Sequence, residues 1–302
     1  MPDGGSWGYV PPTESERRAW QQAVDQMLKG SCHPALPAAL APHYERRWLG
    51  GDTGVCVLLE TLDADGDGLV DRGWGTLAVA RRPVREVHIH IAHPLFDIDT
   101  EHQGAAVFQA TGGRTFLMAG AERNANYRAS ACQRDYWEAD VAHDVGNFFH
   151  AAVEVLAPEL EERDGVVIQL HGLGAQWCWG IDVFATWGGP WAPRVGSRLS
   201  LLADALARLR PNWRVRVTGQ FPLCLFNGGS NVQGRLLNGV GPADVCSQAA
   251  AGPGERFMHV EQKRAFRETE AWVRAIEEVW PKRSPRPPRR VIRPGSLPES
   301  VR

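Results

Sequence analysis

The chain reads EVHIHIAHPLFDIDTEHQG at residues 86–104. Apolar and polar residues alternate in the first half of this stretch, which predicts a β-strand. Thr100 and Gln103 have the spacing of a capping box, which predicts that a helix begins there. A strand that passes directly into a helix is typical of an α/β fold. His93 and Glu101 lie on either side of the turn, and both are residue types that bind metal ions.

Strands and helices continue to alternate after this stretch. Strands are predicted at 85–92, 114–120, 165–172, 213–219, 223–226 and 256–261, and helices at 101–111, 140–158, 196–211 and 263–280. Pro158 is expected to end the second of these helices. The alternation predicts an α/β domain with three layers (αβα), in which helices cover both faces of a mixed, mostly parallel central sheet.

The residues before this alternation form a different pattern. Thr13 and Glu16 form a capping box, which predicts a helix that ends near Gly30. Two apolar segments, 53–62 and 74–82, predict a β-hairpin. The chain is therefore expected to have three parts: the helix and hairpin of residues 1–84, packed on the main domain, the α/β domain of residues 85–280, and a disordered, basic, proline-rich tail at 281–302.

The composition is that of an ordinary globular protein. Of the 302 residues, 43% are hydrophobic and 23% are charged, and the net charge is −2. Basic residues cluster only in the tail, so a nucleic-acid partner is not expected. The chain contains no apolar run of the roughly 20 residues that span a bilayer. Its N-terminal residues are polar and lack the apolar core of a signal peptide.

Six cysteines are present, at positions 32, 56, 132, 178, 224 and 246. They form no CxxC motif, so a cysteine zinc site is not expected. Six cysteines permit three disulfides in about 15 pairings. They can equally be six buried thiols, and the sequence leaves both interpretations open.

The loop DADGDGLVD carries alternating aspartates in the spacing of a calcium-binding loop. Its four acidic residues are Asp63, Asp65, Asp67 and Asp71. The glutamate that ends such a loop is replaced by Trp74, so the pattern resembles the short calcium loops of extracellular proteins. Calcium would be structural here, and it favours an extracytoplasmic location, whether periplasmic or secreted. The other interpretation is a polar hairpin turn.

Three predicted strands end in side chains that can bind or serve a metal: His93, His171 and Glu261. Ligands in open α/β sheets bind at the carboxyl ends of the strands. Two histidines and a carboxylate form a catalytic zinc site with one free position. Glu101 is the predicted carboxylate ligand, with Asp97 and Asp99 as alternatives.

Several segments together resemble bacterial proteins related to N-formylglutamate amidohydrolases. These segments are, in order, HPLFDIDTEHQG, RTFLMAGAERNAN, DVAHDVGNFFHAA, VVIQLHG, NVQGR and HVEQKRAFR. That family has the zinc exopeptidase fold shared by carboxypeptidases and poly-γ-glutamate hydrolases. The resemblance covers residues 85–280 and implies that His93, Glu101 and His171 bind zinc and that Glu261 is the general base.

The chemistry implied is hydrolysis of an amide bond in a small molecule or peptide that carries a carboxylate, such as an acyl-amino acid or a γ-glutamyl chain. Arg123 is expected to stabilise the negative charge that develops during the reaction. Arg235, Asn231 and His143 are candidates for binding the substrate.

Two other functions remain open from the sequence. A non-catalytic module with this fold would bind a glycan or cell-wall polymer through the basic tail and the tryptophan-rich segment 172–191, which is predicted as one long loop. A calcium-stabilised structural protein would bind calcium and no zinc. His259 is expected to pack in the core or to face away from the neighbours of Glu261.

Overall fold

A computed structural model describes residues 1–32, 35–220 and 224–282. Its centre is a single nine-stranded sheet with the strand order β1-β2-β3-β5-β4-β6-β9-β7-β8. The strands are β1 Tyr44–Leu49, β2 Val55–Glu60, β3 Thr76–Ala80, β4 Val87–Ile91, β5 Thr115–Met118, β6 Val166–Gly172, β7 Val183–Thr186, β8 Val215–Val217 and β9 Phe257–Gln262.

Helices cover both faces of the sheet, so the three-layer αβα arrangement predicted from the sequence is present. The helices are α1 Glu14–Leu28, α2 Thr100–Thr111, α3 Phe148–Arg163, α4 Arg198–Leu209, α5 Val232–Leu237 and α6 Thr269–Val279. One buried cluster joins α1 and α3 to the sheet, and a second joins α2, α4 and α6 to the other face.

The prediction that the sheet is mostly parallel is wrong. Four strand pairs are parallel: β4–β5, β4–β6, β6–β9 and β7–β8. Four are antiparallel: β1–β2, β2–β3, β3–β5 and β7–β9. The N-terminal strands lengthen the sheet through β3, which pairs antiparallel with both β2 and β5.

Several local predictions need correction. Thr100 does not cap α2, because it is the first helical residue and Asp99 stands at the cap with no side-chain hydrogen bond. Gln103 instead pairs with Gln262. The helix predicted from residue 140 begins at Phe148, where Asn147 accepts a hydrogen bond from the backbone of His150.

Pro158 does not end α3, and the helix continues for five further residues to Arg163. Leu156 and Leu160 are completely buried on either side of it, and this packing offsets the hydrogen bond that proline cannot donate. By contrast, the capping box of Thr13 and Glu16 is confirmed at the start of α1.

Three short elements were missed in the sequence: β1, α5 and β7. Of these, β7 lies within the segment predicted as one long loop, 172–191. The strand predicted at 223–226 is absent from its described part, residues 224–226. Most of the predicted basic tail lies outside the described residues.

Three disulfides are present: Cys32–Cys56, Cys132–Cys246 and Cys178–Cys224. Disulfides persist in oxidising compartments, so three of them indicate an extracytoplasmic location. Within the described ranges, none of the helices is both long enough and apolar enough to cross a membrane.

Glu60 is a buried carboxylate at the end of β2. Its Oε2 accepts hydrogen bonds from the backbone of Trp74 (2.7 Å) and Gly75 (3.0 Å). Burial raises the pKa of Glu60 to about 7, although these hydrogen bonds oppose the shift. The folded protein therefore holds a proton on Glu60 at a pH where the unfolded chain has lost it.

We expect the contribution of Glu60 to the free energy of unfolding to fall as the pH rises from about 4.5 to about 7, and then to level off. Glu60→Gln keeps an acceptor for both backbone donors and cannot ionise. The difference in free energy of unfolding between the variant and the wild type should therefore shift in favour of the variant by up to about 3 kcal/mol from pH 5 to pH 8. Urea unfolding with disulfides intact measures this gap, and a gap that is the same at both pH values would contradict the prediction.

Candidate metal centre

Polar side chains share one face of three neighbouring parallel strands. On β4, β6 and β9 most of the apolar residues face α2, α4 and α6. The alternate positions on the other face carry His88, His90, Gln169, His171, His259 and Glu261. His171 lies directly opposite Glu261 in the register of β6 and β9. The predicted meeting of the strand ends is therefore present in the fold.

His93 follows β4, and the chain turns back on itself after it. The backbone N–H of Asp97 donates to the carbonyl of His93 (3.0 Å). Leu95 and Asp99 have left-handed backbone conformations, with φ of 67° and 70°. This turn places the carboxylate of Asp97 beside the imidazole of His93.

Three ligand atoms converge at this point: Nδ1 of His93, Nδ1 of His171 and Oδ2 of Asp97. The two nitrogens are 3.1 Å apart. The carboxylate oxygen is 3.4 Å from the nitrogen of His93 and 3.3 Å from that of His171. All three residues are buried, and Asp97 Oδ2 has no hydrogen-bond partner among the described residues.

These distances fit a zinc ion. Ligands about 2.0 to 2.1 Å from a tetrahedral zinc lie about 3.3 Å from one another. Each of the three atom pairs lies within 0.2 Å of that separation. Without a metal ion, a proton shared between the two Nδ1 atoms would be the other way to stabilise these three acceptor atoms.

The far nitrogen of each histidine is held by a buried oxygen. Nε2 of His93 is 3.0 Å from Oδ1 of Asp140. Nε2 of His171 is 2.7 Å from Oε1 of Gln169, which also accepts from Nδ2 of Asn231 at 2.6 Å. Because these oxygens accept the Nε2 protons, the lone pairs on both Nδ1 atoms are left to face the convergence point, as in metal sites with oriented histidines.

The electrostatics of the centre favour a positive charge there. Burial lowers the pKa of His93, and Arg123 lowers it further, but Asp140 and Asp97 outweigh both and the pKa is raised. Burial lowers the pKa of His171. Burial alone would raise the pKa of Asp97, but the interactions of its carboxylate with His171 and His93 outweigh burial and hold the pKa below its usual range.

Glu101 does not join this group. Its side chain is 14% exposed and lies 3.9 Å from Nε2 of His102, its neighbour on α2. Of the carboxylates that the sequence left open, the structure brings Asp97 to the two histidines. Asp99 instead pairs with Arg264 on the surface (2.7 Å).

Glu261 lies next to the convergence point, with His259 beside it. Nε2 of His259 is 3.7 Å from Oε1 of Glu261, and its ring stacks on that of His171 with 4.5 Å between centroids. Burial raises the pKa of Glu261 well above its ordinary value, and the charge of Asp97 adds to this. His259 is buried in the core, as one of the two expectations had it, and it does not face away from Glu261, because residues two apart on a strand share a face.

Arg123 also reaches the centre. Its guanidinium forms an ion pair with Asp140 and lies 3.5 Å from Nδ1 of His93 and 5.2 Å from the centre of the Phe96 ring. Arg123 therefore lies beside the three converging atoms.

The three residues predicted to bind substrate have other contacts. Asn231 caps α5 and holds Gln169. Arg235 donates to the backbone carbonyls of Gly229, Val245 and Cys246 at 2.9 to 3.0 Å. His143 stacks on Tyr136, and its Nδ1 bonds to Gln133. These contacts make Arg235 a link between loops and leave His143 as a candidate for lining the site.

Arg267 was not singled out in the sequence, although it supports the turn that carries Asp97. It donates to the carbonyl oxygens of Asp97 (2.8 Å), Ile98 and Gln262 (3.1 Å). A single guanidinium therefore ties the His93–Asp97 turn to the end of β9. An arginine five residues past a strand carries no sequence pattern that would reveal this role.

The acidic loop forms a turn stabilised by its own side chains. Asp63 accepts from the backbone of Gly66 (2.8 Å) and Gly68 (3.0 Å), and Asp71 accepts from Ala64. Carboxylate oxygens of Asp63, Asp65 and Asp71 lie within 4.8 Å of one another, and Asp67 is outside this group. These bonds are those of a polar turn, and calcium binding stays a prediction.

The chain matches no protein-family model and none of the curated proteins compared with it. Among solved structures, it is similar to a metallo-carboxypeptidase from Burkholderia cenocepacia at 13% identity and a TM-score of 0.39, over 90% of this chain and 70% of that one. It is also similar to a gene product from Agrobacterium tumefaciens at 12% identity and a TM-score of 0.38, over 65% of this chain and 87% of that one. At these scores the similarity decides neither fold nor activity.

Proposed function

We propose that the protein is a zinc-dependent hydrolase that cleaves amide bonds. One observation carries the proposal: two histidine nitrogens and one carboxylate oxygen converge at the spacing of zinc ligands, and both histidines are oriented by buried oxygens. His93, Asp97 and His171 would hold the ion. A bound zinc would act as a Lewis acid that polarises a carbonyl and makes water a stronger acid.

The side chains around this centre suit hydrolysis. Glu261 would accept a proton from the attacking water while the water oxygen bonds to the carbonyl carbon. It would then pass that proton to the amide nitrogen when the C–N bond breaks. The products are a carboxylic acid and an amine. Arg123, beside His93, would donate hydrogen bonds to the oxyanion or to a substrate carboxylate.

The resemblance to N-formylglutamate amidohydrolases supports a substrate with a carboxylate near the scissile amide. Acyl-amino acids, γ-glutamyl chains and short peptides meet this description. The carboxylate would reach Arg123, since Arg235 is committed to loop carbonyls.

The test joins metal content to activity. Protein stripped with a chelator and dialysed is titrated with zinc, and at each point bound zinc is measured by elemental mass spectrometry and hydrolysis by amine release from acyl-amino acids and γ-glutamyl peptides. We expect binding to saturate at about one zinc per chain and activity to rise in parallel. Failure to bind zinc would overturn the proposal, and zinc binding without any hydrolysis would instead favour a non-catalytic binding module.

A further inference from the structure

Two exposed aromatic rings stand together on separate loops. Trp177 is 53% exposed and Phe226 is 39% exposed. Their ring centres are 5.7 Å apart in an edge-to-face arrangement. The disulfide Cys178–Cys224 joins the two loops beside the rings. We refer to Trp177 and Phe226 as the aromatic pair.

The loop that carries Trp177 begins and ends at the metal centre. It follows His171 on β6, and the backbone N–H of Leu173 donates to the carbonyl of Gln262 (2.9 Å). At its other end the N–H of Lys263 donates to the carbonyl of Asp182 (3.0 Å). Both anchors lie immediately after Glu261, so residues 173–182 arch over the strand ends that carry His171 and Glu261.

The segment that carries Phe226 lies against the same centre. Thr186 on β7 donates to the carbonyl of Asn227 (2.7 Å). Gly228 lies against the ring of His259, so closely that a Cβ would come within 2.7 Å of it. Phe226 is two residues from Gly228, a span of at most about 7 Å. His259 in turn stacks on His171.

The aromatic pair is not needed to fill the core beneath these loops. That core consists of Leu173, Ile181 and Phe184 together with the two cysteines, all buried. The rings therefore remain on the solvent side of a cross-linked scaffold. Large rings held in place beside a reactive centre provide apolar contact at a low cost in conformational entropy.

The neighbours of the pair are also apolar. Trp179 follows Cys178 and is 85% exposed, and Leu225 follows Cys224 and is 81% exposed. A sugar ring needs many hydrogen-bond partners, whereas an apolar side chain needs contact area. The apolar surroundings therefore favour an apolar side chain as the occupant, and the two rings favour an aromatic one, because aromatic rings prefer edge-to-face and offset contacts with one another.

We propose that the aromatic pair binds an aromatic side chain of the amide substrate, next to the bond that is cleaved. The inference rests on the proposed hydrolase function and names its substrate class: acylated or peptide-linked aromatic amino acids. The disulfide holds the two rings at a fixed separation before the substrate arrives.

The first test compares kcat/KM for N-acetylphenylalanine and N-acetylalanine. The wild type should prefer the aromatic substrate by about tenfold or more, and Trp177→Ala and Phe226→Ala should lose most of that preference through a lower kcat/KM for N-acetylphenylalanine. Trp48→Ala is the matched control, because Trp48 is 42% exposed on the edge strand β1. Equal kcat/KM values in the wild type would overturn the inference.

A second test measures binding without turnover. Calorimetric titration of the metal-free wild type with the same two compounds should show the same preference for the aromatic one, and Trp177→Ala should lose it. If no amide is hydrolysed but this binding preference persists, the proposed hydrolase function is wrong and the inference that the aromatic pair binds an aromatic side chain is supported. If amides are hydrolysed but the two compounds bind equally, the inference about the aromatic pair is wrong and the proposed hydrolase function is supported. Phe226→Leu serves where an alanine variant does not fold.

Discussion

Replacing Asp97 by asparagine should weaken zinc binding by about 100-fold or more. The carboxylate oxygen of Asp97 lies 3.3 and 3.4 Å from the two histidine nitrogens and has no hydrogen-bond partner among the described residues. A neutral amide is a poor zinc ligand and does not offset the charge of the ion. His171→Ala should abolish binding in the same way, because it removes one of the two nitrogens.

Glu101→Gln is the matched control for this prediction. Glu101 is the carboxylate that the family resemblance assigns to zinc, but its side chain lies beside His102 and does not belong to the group of converging atoms. Competition titration with a zinc-binding dye measures the zinc affinity of the wild type and of the Asp97→Asn, His171→Ala and Glu101→Gln variants. If Glu101→Gln loses zinc while Asp97→Asn retains it, the ligand set derived from the geometry is wrong.

Replacing Glu261 by glutamine should lower kcat by about 10²- to 10⁴-fold and leave zinc affinity nearly unchanged. Glu261 lies opposite His171 in the sheet and next to the converging ligand atoms, but Asp97 supplies the carboxylate that faces both Nδ1 atoms. Glutamine has nearly the same shape and cannot accept a proton from water. The loss should therefore fall on the chemical step.

Two measurements decide this prediction: kcat on the best substrate of the panel, and zinc per chain in the same sample. A variant that loses both activity and zinc would make Glu261 a ligand rather than the base. A variant with full activity and full zinc would remove Glu261 from the reaction. Glu101→Gln, the same chemical change outside the cluster, should retain activity.

The strand-end residues of the site were predictable from the sequence. His93, His171 and Glu261 each follow or end an apolar strand, and in parallel neighbours these ends meet at one edge of the sheet. His259 was also within reach of the same reasoning, since it stands two residues before Glu261 and must share its face. Gln169 stands in the same relation to His171.

The identity of the carboxylate was not predictable in this way. It depends on a turn in which Leu95 and Asp99 adopt left-handed conformations. Such conformations are uncommon for residues other than glycine, so the sequence gives no indication of them. From the sequence, Glu101 at the start of the helix was the expected carboxylate ligand. The turn instead brings Asp97, four residues before Glu101, back to His93.

The antiparallel pairing of β7 with β9 was also not predictable, because β7 has no sequence pattern of its own. The alternation of strands and helices predicts parallel pairing in the centre, which is present from β5 through β9. The strand β7 is only four residues long and lies within a tryptophan-rich segment. Short strands of this kind are defined by pairing with β9 rather than by a pattern of their own.

The register between β6 and β9 limits how this protein can tolerate insertions. His171 faces Glu261 and Gln169 faces His259 because the two strands are aligned residue for residue. One residue inserted into either strand would turn its polar side chains beneath α2, α4 and α6 and its apolar ones into the centre. The arch at 173–182 carries no such alternation and can lengthen without moving its anchors. Natural variants of this chain should therefore differ in length at the arch of residues 173–182, while β6 and β9 keep a constant length.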